Sequence, residues 1–256
     1  MRIRPCIDLH QGKVKQIVGS TLKDGDLQGL EENFVAEQPP EWFAELFKRH
    51  GLTGGHVIKL GPGNEEAARR ALAAWPGGLQ VGGGITAENA PEWLEAGASH
   101  VIVTSYVFYG GRLDEDRLER LLQAVGKGHL VLDLSCRKRQ GRYFVVTDRW
   151  QKFTDLEITA PVLEELAGYA DEFLVHGVDV EGRCMGVDLE LVRLLAGGVT
   201  IPCTYAGGAK GIEDAYAVME EGRGRLDLTI GSAMDIFGGS GVTLQEVVEF
   251  NRRYAK

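Results

Sequence analysis

The feature that most constrains the fold is an internal repeat that divides the 256-residue chain into two halves. Asp8 and Asp133 each end a short apolar run, so that 125 positions separate two equivalent carboxylates. The glycine turn at residues 81–84 recurs at 205–208, and Thr104-Ser105 is matched by Gly231-Ser232. Because these anchors share nearly one offset, we predict two similar half-units, at about 1–125 and 126–256.

Short runs rich in valine, isoleucine and leucine alternate with amphipathic stretches of helical period, which is the pattern of a parallel sheet with crossover helices. We predict eight strands, at residues 3–8, 56–60, 79–82, 101–104, 129–133, 173–176, 202–205 and 226–230. Predicted helices follow them, at 41–49, 65–74, 90–96, 116–125, 161–169, 189–195, 213–221 and 244–254. Eight such units describe an α/β fold, the (β/α)8 TIM barrel, here a single domain over residues 1–256.

Composition excludes several classes of protein. A net charge of −9 argues against a nucleic-acid partner, which requires a clustered basic face. No segment approaches the ~18 apolar residues of a membrane span, so we expect no membrane association. The four cysteines form no C-x-x-C pair and indicate reduced thiols in a cytoplasmic protein, without a metal site.

Two connections are too long for simple βα turns, at residues 9–40 and 134–160, directly after Asp8 and Asp133. Functional side chains of a barrel lie at the C-terminal ends of its strands. A lone aspartate there most often caps a loop or pairs with a basic neighbour. Two of them on opposite sides of one mouth favour catalysis, because paired carboxylates can divide the acid and base roles.

Glycine and hydroxyl turns at twofold-related places predict two phosphate sites, since bare backbone N–H groups can bind an anion. The segment 233–237 fits the short extra helix that completes a barrel phosphate site after the eighth strand. A single Gly-Gly turn is often only geometric, but two matched sets indicate a substrate with two phosphates. The predicted phosphate-binding residues are Gly83, Gly84 and Ser105 in the first half and Gly207, Gly208, Gly231 and Ser232 in the second.

The runs at residues 5–19, 81–85 and 133–138 resemble the phosphoribosylformimino-aminoimidazole carboxamide ribotide isomerases of histidine biosynthesis. Segments 205–210 and 235–239 resemble the branch of that family found in fungi, and the similarity covers nearly the whole chain. The resemblance implies a monomeric (β/α)8 isomerase that needs no cofactor. Its bis-phosphorylated small-molecule substrate would undergo an Amadori rearrangement from aminoaldose to aminoketose.

By the same resemblance Asp8 is the base that removes the proton from the sugar C2, and Asp133 is the acid that protonates the ring oxygen. The common bacterial pattern places its second catalytic aspartate two residues later, where this chain has Ser135. Side chains alternate along a strand, so Asp133 and Ser135 share a face. Asp133 would then reach the mouth from one layer deeper.

Four further residues are candidates for substrate binding, and each has a second possible role that does not involve substrate. His176 ends the sixth strand and can serve the substrate, a catalytic carboxylate or only the fold. Lys13 and Arg137 lie in the long loops, where they meet anionic substrate or are merely solvated. Trp150 can stack on the imidazole carboxamide when its loop closes, or anchor that loop on the rim. Two acidic residues after the sixth strand stay undecided between a loop contact and a ribose hydroxyl: Asp179 and Glu181.

Two other functions remain open from the sequence. The sister cyclase of the same pathway has the same halves and two similar carboxylates, although residues 9–19 fit the isomerase better. A non-catalytic phosphosugar-binding barrel would keep the anion sites. It would not need two free carboxylates beside an anionic ligand.

Overall fold

The computed structural model describes residues 1–17, 32–148 and 150–255. Eight parallel strands form a barrel, and the first of them is interrupted at Pro5. The barrel strands are β1 (Ile3–Arg4 and Cys6–His10), β2 (Gly55–Lys59), β3 (Leu79–Gly82), β4 (Val101–Val103), β5 (Leu130–Asp133), β6 (Glu172–His176), β7 (Cys203–Ala206) and β8 (Asp227–Thr229).

The sheet closes through its first strand, which pairs with β8 on one side and β2 on the other. Ile3 aligns with Leu228, and Cys6 aligns with His56. Proline lacks an N–H group, so Pro5 interrupts the ladder, but its carbonyl still accepts the backbone N–H of His56 at 3.2 Å. The predicted (β/α)8 barrel is confirmed.

A helix follows each strand, as the apolar periodicity predicts. The helices are α1 (Pro40–Arg49), α2 (Glu65–Ala74), α3 (Ala90–Glu95), α4 (Glu115–Val125), α5 (Ala160–Leu166), α6 (Leu189–Gly198), α7 (Ile212–Glu221) and α8 (Leu244–Tyr254). Thr243 opens α8 with a reciprocal capping box to Glu246. A single 3-10 turn, Asp235–Phe237, lies after β8 where the short extra helix was predicted. Among the described residues no helix is both long and apolar enough to cross a bilayer.

The long connections contain strands that the sequence analysis did not predict. Lys13–Ile17 pairs with Glu32–Val35 in the loop after β1. The loop after β5 forms a three-stranded antiparallel sheet of Cys136–Arg139, Arg142–Thr147 and Lys152–Glu157. These strands extend from the ends of β1 and β5, at the C-terminal end of the barrel.

Side chains two residues apart on a barrel strand point to the same interior, one layer above the other. A small apolar cluster fills the middle of the barrel, formed by Ile102, Val131, Leu174 and Ala206. Asp133 is two residues beyond Val131, and His176 is two residues beyond Leu174. The alternation therefore places both side chains directly above the apolar cluster, at the C-terminal mouth.

Candidate active site

A pocket at the C-terminal mouth collects residues from β1, β2 and the turns after β6, β7 and β8. Asp8, His56, His176 and Glu181 line it. The predicted phosphate-binding residues of the second half line it too: Gly207, Gly208, Gly231 and Ser232. The structure thus brings one predicted carboxylate and one complete set of predicted anion-binding residues into the same cavity.

Asp8 is held by Gln16, a residue in the loop strand after β1. The Gln16 amide nitrogen donates to Asp8 Oδ2 at 3.2 Å, and its oxygen accepts the Ser232 hydroxyl at 3.2 Å. Burial raises the pKa of Asp8 to about 7, and the nearby Glu181 charge acts in the same direction. A carboxyl with that pKa exchanges a proton readily near neutral pH, which is what a general base needs.

Glu181 is the second carboxyl in this pocket. Burial raises its pKa as well, and its buried Oε2 atom has no hydrogen-bond partner in the part of the chain that the structure describes. A Cβ on Gly207 would lie 2.9 Å from that oxygen, so only glycine lets the turn after β7 approach Glu181 this closely. The sequence analysis did not decide the role of Glu181. The signal that pointed to this residue was its position a few residues after the sixth strand.

Asp133 ends β5 and is not among the residues that line this pocket. It is 8% exposed, and its Oδ1 accepts hydrogen bonds from the backbone N–H of Ser135 at 2.8 Å and from the Ser135 hydroxyl. Burial raises the pKa of Asp133. The carboxyl is therefore engaged by Ser135, and its reach to the mouth from one layer deeper stays a prediction.

Two aromatic side chains contact the His176 ring. Trp150, from the loop after β5, lies over it with 5.4 Å between ring centroids, and His56 meets it edge-on at 6.0 Å. Burial lowers the pKa of His56 to about 3, so this imidazole is neutral at physiological pH. Trp150 therefore contacts a residue that lines the pocket, and its stacking on the imidazole carboxamide stays a prediction.

Two other predicted substrate contacts lie outside the pocket. Lys13 is exposed and lines a separate surface depression with Pro39, Pro40 and Arg70 at the start of α1. Arg137 pairs with Asp179 at 2.9 Å, which ties the loop after β5 to the turn after β6. In this conformation neither cation reaches the cavity that contains Asp8.

The first-half anion residues do not line the pocket around Asp8. Gly83 has φ +89°, and a Cβ there would overlap the carbonyl oxygen of Lys59, so the fold itself requires this glycine. Gly84 has φ +68° with open space around it. The Ser105 hydroxyl accepts the backbone N–H of Asp148 at 3.0 Å. Helix α3 begins at Ala90, the predicted start, so residues 85–89 separate Gly84 from the helix.

Matched hydroxyls mark the two halves near the barrel mouth. Thr104 follows β4 and Thr229 ends β8, and 125 positions separate them. Both hydroxyl oxygens are buried, and neither has a hydrogen-bond partner within residues 1–17, 32–148 and 150–255. No group of three or more histidine, cysteine or acidic side chains that could hold a metal ion occurs in residues 1–17, 32–148 and 150–255.

The raised pKa of Asp8 predicts a pH-dependent effect on stability. Its pKa is about 7 in the folded protein against an ordinary 3.8, so the folded state retains a proton that the unfolded chain releases. This contribution is present below about pH 4 and is lost as the pH rises through 7. We expect Asp8→Asn, which cannot ionise, to be more stable than wild type by about 2 kcal/mol at pH 8.

Urea unfolding at several pH values checks this prediction. The stability gap between Asp8→Asn and wild type should shrink steadily towards about pH 4. A gap of constant size across this range would contradict the assignment of the ionisation to Asp8.

Comparison with known proteins identifies the family. The family of histidine biosynthesis proteins matches residues 2–242. A Neurospora crassa protein, named as an imidazole-4-carboxamide isomerase with two 5-phosphoribosyl groups in its substrate name, is 54% identical over 98% of this chain and 99% of its own. A chloroplastic isomerase of Medicago truncatula with the same substrate name is 54% identical over 99% of this chain and 82% of its own.

The similarity extends to yeast. The Saccharomyces cerevisiae isomerase of that name is 47% identical over 97% of both chains. These matches span the whole barrel, including both long loops and the turns after each half. The chain belongs to the histidine biosynthesis protein family, in its group of imidazole-4-carboxamide isomerases.

Proposed function

We propose that this chain is the aldose-ketose isomerase of histidine biosynthesis, which converts the phosphoribosylformimino-aminoimidazole carboxamide ribotide aminoaldose to its aminoketose. The observation that carries the proposal is the pairing of two carboxyls with raised pKa values, Asp8 and Glu181, in one pocket beside anion-binding turns. The names of the relatives supply the substrate class. An Amadori rearrangement needs such a pair, since one proton leaves carbon while another reaches oxygen.

In this proposal Asp8 is the base that takes the proton from the sugar C2 and returns it to C1. The acid that opens the ribose ring must also reach the substrate. Glu181 fits this role better than Asp133, because Glu181 lines the pocket whereas Asp133 does not and has its Oδ1 engaged by Ser135. Its raised pKa favours the protonated form that a proton donor needs. In this proposal Asp133 acts indirectly, through its hydrogen bond with Ser135.

The two phosphates of the substrate would bind at twofold-related places. In the second half the backbone of Gly207 and Gly208, with Gly231 and Ser232, surrounds the cavity that contains Asp8. In the first half Gly84 and Ser105 would take the other phosphate, with the free Thr104 hydroxyl nearby in sequence. A substrate that spans the mouth in this way places its reacting sugar over Asp8. The equivalent hydroxyls of Thr104 and Thr229 support a barrel of two similar halves.

The proposed enzyme works as a monomer in the cytoplasm, without a cofactor. The four cysteines are free, as expected in a reducing compartment. The compartment differs among relatives, since the plant protein is chloroplastic.

A direct assay tests the proposal. Purified protein is incubated with the aminoaldose, and the absorbance change of isomerisation is followed with and without ammonia. Turnover that does not require ammonia supports the isomerase. Ammonia-dependent turnover would identify the cyclase instead, and tight binding without turnover would identify a binding protein.

The same assay predicts a pH dependence. The base must be ionised, so we expect kcat/KM to rise with pH on an acid limb near pH 7, the value to which burial raises the pKa of Asp8. Measurement from about pH 5 to pH 9 at constant ionic strength locates the limb. A limb near pH 4, typical of an unperturbed carboxyl, would contradict the role given to Asp8.

A further inference from the structure

The hydroxyl of Ser135 joins the ends of two neighbouring barrel strands. Ser135 is fully buried, and its hydroxyl donates to Asp133 Oδ1. The same oxygen lies 2.9 Å from His176 Nδ1 and accepts the backbone N–H of His176 at 3.3 Å. A continuous chain of contacts therefore runs from Asp133 through Ser135 to His176.

The proton count along this chain fixes the state of the imidazole. A serine hydroxyl has one hydrogen, and here it goes to the carboxylate of Asp133. Nδ1 of His176 must then carry the hydrogen that it donates to Ser135 Oγ. In a neutral imidazole this leaves Nε2 without a hydrogen and free to accept one.

His176 is the member of this chain that reaches the pocket, since it lines the cavity while Asp133 and Ser135 do not. Its ring is packed between Trp150 and His56, which restricts its orientation. It also lies within electrostatic reach of three carboxyls, because its charge would lower the pKa of Asp8, Asp133 and Glu181. This centre of the site is where a reacting sugar would lie.

We propose that Asp133 is a positioning residue that never touches the substrate, and that it acts through Ser135 to present His176 Nε2 as a hydrogen-bond acceptor for a sugar hydroxyl. The inference rests on the proposed isomerase function. The hydroxyl concerned is the one on C2, the same carbon that loses its proton to Asp8. A fixed acceptor there orients the C2–H bond towards the base.

A double-mutant cycle tests the catalytic half of the proposal. We expect Asp133→Asn and Ser135→Ala each to lower kcat by about tenfold to a hundredfold, and His176→Phe to lower it at least as much. Because all three act through one imidazole, adding Asp133→Asn to His176→Phe should change kcat by less than about threefold. Asp171→Asn, at the opposite end of the barrel where it pairs with His100, is the matched control.

NMR spectroscopy tests the part of the proposal that concerns the tautomer of His176, and this test does not depend on enzyme activity. Side-chain ¹⁵N chemical shifts should show His176 as the Nδ1–H tautomer in wild type, with the signal assigned by its loss in His176→Phe. In Ser135→Ala the ring should shift towards the Nε2–H tautomer, since the acceptor for Nδ1–H is lost. Asp133→Asn should give a smaller shift in the same direction, because a neutral amide oxygen holds the Ser135 hydroxyl hydrogen less firmly than a carboxylate and this hydrogen can then turn towards Nδ1. Thermal melts of each variant confirm that the comparison is made between folded proteins.

Two results would overturn the proposal. Losses from Asp133→Asn and His176→Phe that multiply in the double variant would mean that Asp133 contacts the substrate independently. An Nε2–H tautomer of His176 in wild type would mean that Nε2 cannot accept a hydrogen bond. Failure of wild-type turnover would instead reject the isomerase function, and the tautomer measurement would still stand.

Discussion

Replacing Asp8 with asparagine is expected to lower kcat by about 10³ to 10⁴-fold while the affinity for product changes only a few-fold. Asparagine has nearly the same shape and can still accept the Gln16 amide hydrogen that now reaches Asp8 Oδ2 at 3.2 Å. The substitution therefore removes a proton acceptor and leaves the phosphate contacts in place. Steady-state kinetics and calorimetric titration with the bis-phosphorylated product separate these two effects.

The control for this experiment is a carboxylate outside the machinery. Asp171→Asn removes a charge from the far end of the barrel, beside His100, and should leave kcat within about twofold. Turnover by Asp8→Asn above about a tenth of the wild-type rate would remove Asp8 from the base role. A parallel loss of product affinity would instead mean that Asp8 orders the cavity.

The barrel and its carboxylate layer could be predicted because they depend on local periodicity. Apolar runs of four to six residues alternate with amphipathic stretches, and that pattern fixes both the strand count and the face on which Asp8 and Asp133 lie. The same alternation places the Asp133 side chain above the apolar cluster of the barrel, two residues beyond Val131. Predicting the strand count and this face required only the two-residue period of side chains along a strand and the spacing of the internal repeat.

The contacts that define the site could not be predicted, because they join residues far apart in sequence. Gln16, which contacts Asp8, also contacts Ser232, 216 positions further along the chain. Ser135 and His176, which are in contact, are 41 positions apart. No local pattern specifies which polar group will occupy a buried acceptor. The role of Glu181 depends in the same way on how closely the turn at Gly207 approaches.

Gly83 shows that the sequence can single out a residue for one role while the structure requires it for another. Gly83 was predicted from its resemblance to anion-binding loops, yet its backbone approaches the Lys59 carbonyl too closely for any side chain. A bulky substitution there would disturb the fold before it tested phosphate binding. Gly84 has free space at its Cβ position but a left-handed backbone with φ +68°, so Gly84→Asn, which tolerates that conformation better than alanine, is the cleaner probe of the first-half site.

A buried ion network at the opposite end of the barrel was also missed, since Arg4 reads as an ordinary charged residue near the N-terminus. Its Nη1 lies 2.8 Å from both carboxylate oxygens of Glu172, and its Nη2 lies 2.7 Å from Asp227. Thr204 and Gln80 donate further hydrogen bonds to Glu172. The network therefore links strands from both halves across the interior of the barrel.

Arg4→Met is expected to destabilise the protein by about 3 to 5 kcal/mol, because it leaves two buried carboxylates without their cation. Arg69→Met is the matched control: Arg69 pairs with Glu92 at the surface, 44% and 65% exposed, and its loss should cost less than about 1 kcal/mol. Urea unfolding measures both. The deficit of Arg4→Met should be smaller at about pH 5 than at pH 8, since the stranded carboxylates can take up protons there.

The effect of Arg4→Met on stability can be separated from an effect on catalysis, because the candidate active site lies at the other end of the barrel. Arg4 lies at the start of β1 whereas Asp8 lies near its end, so folded Arg4→Met should keep kcat within about threefold of wild type at temperatures well below its melting point. A loss of stability no larger than that of Arg69→Met would show that water reaches the network and compensates the carboxylates. A loss of kcat without a loss of stability would mean that the polar layer beneath the site tunes the reaction directly.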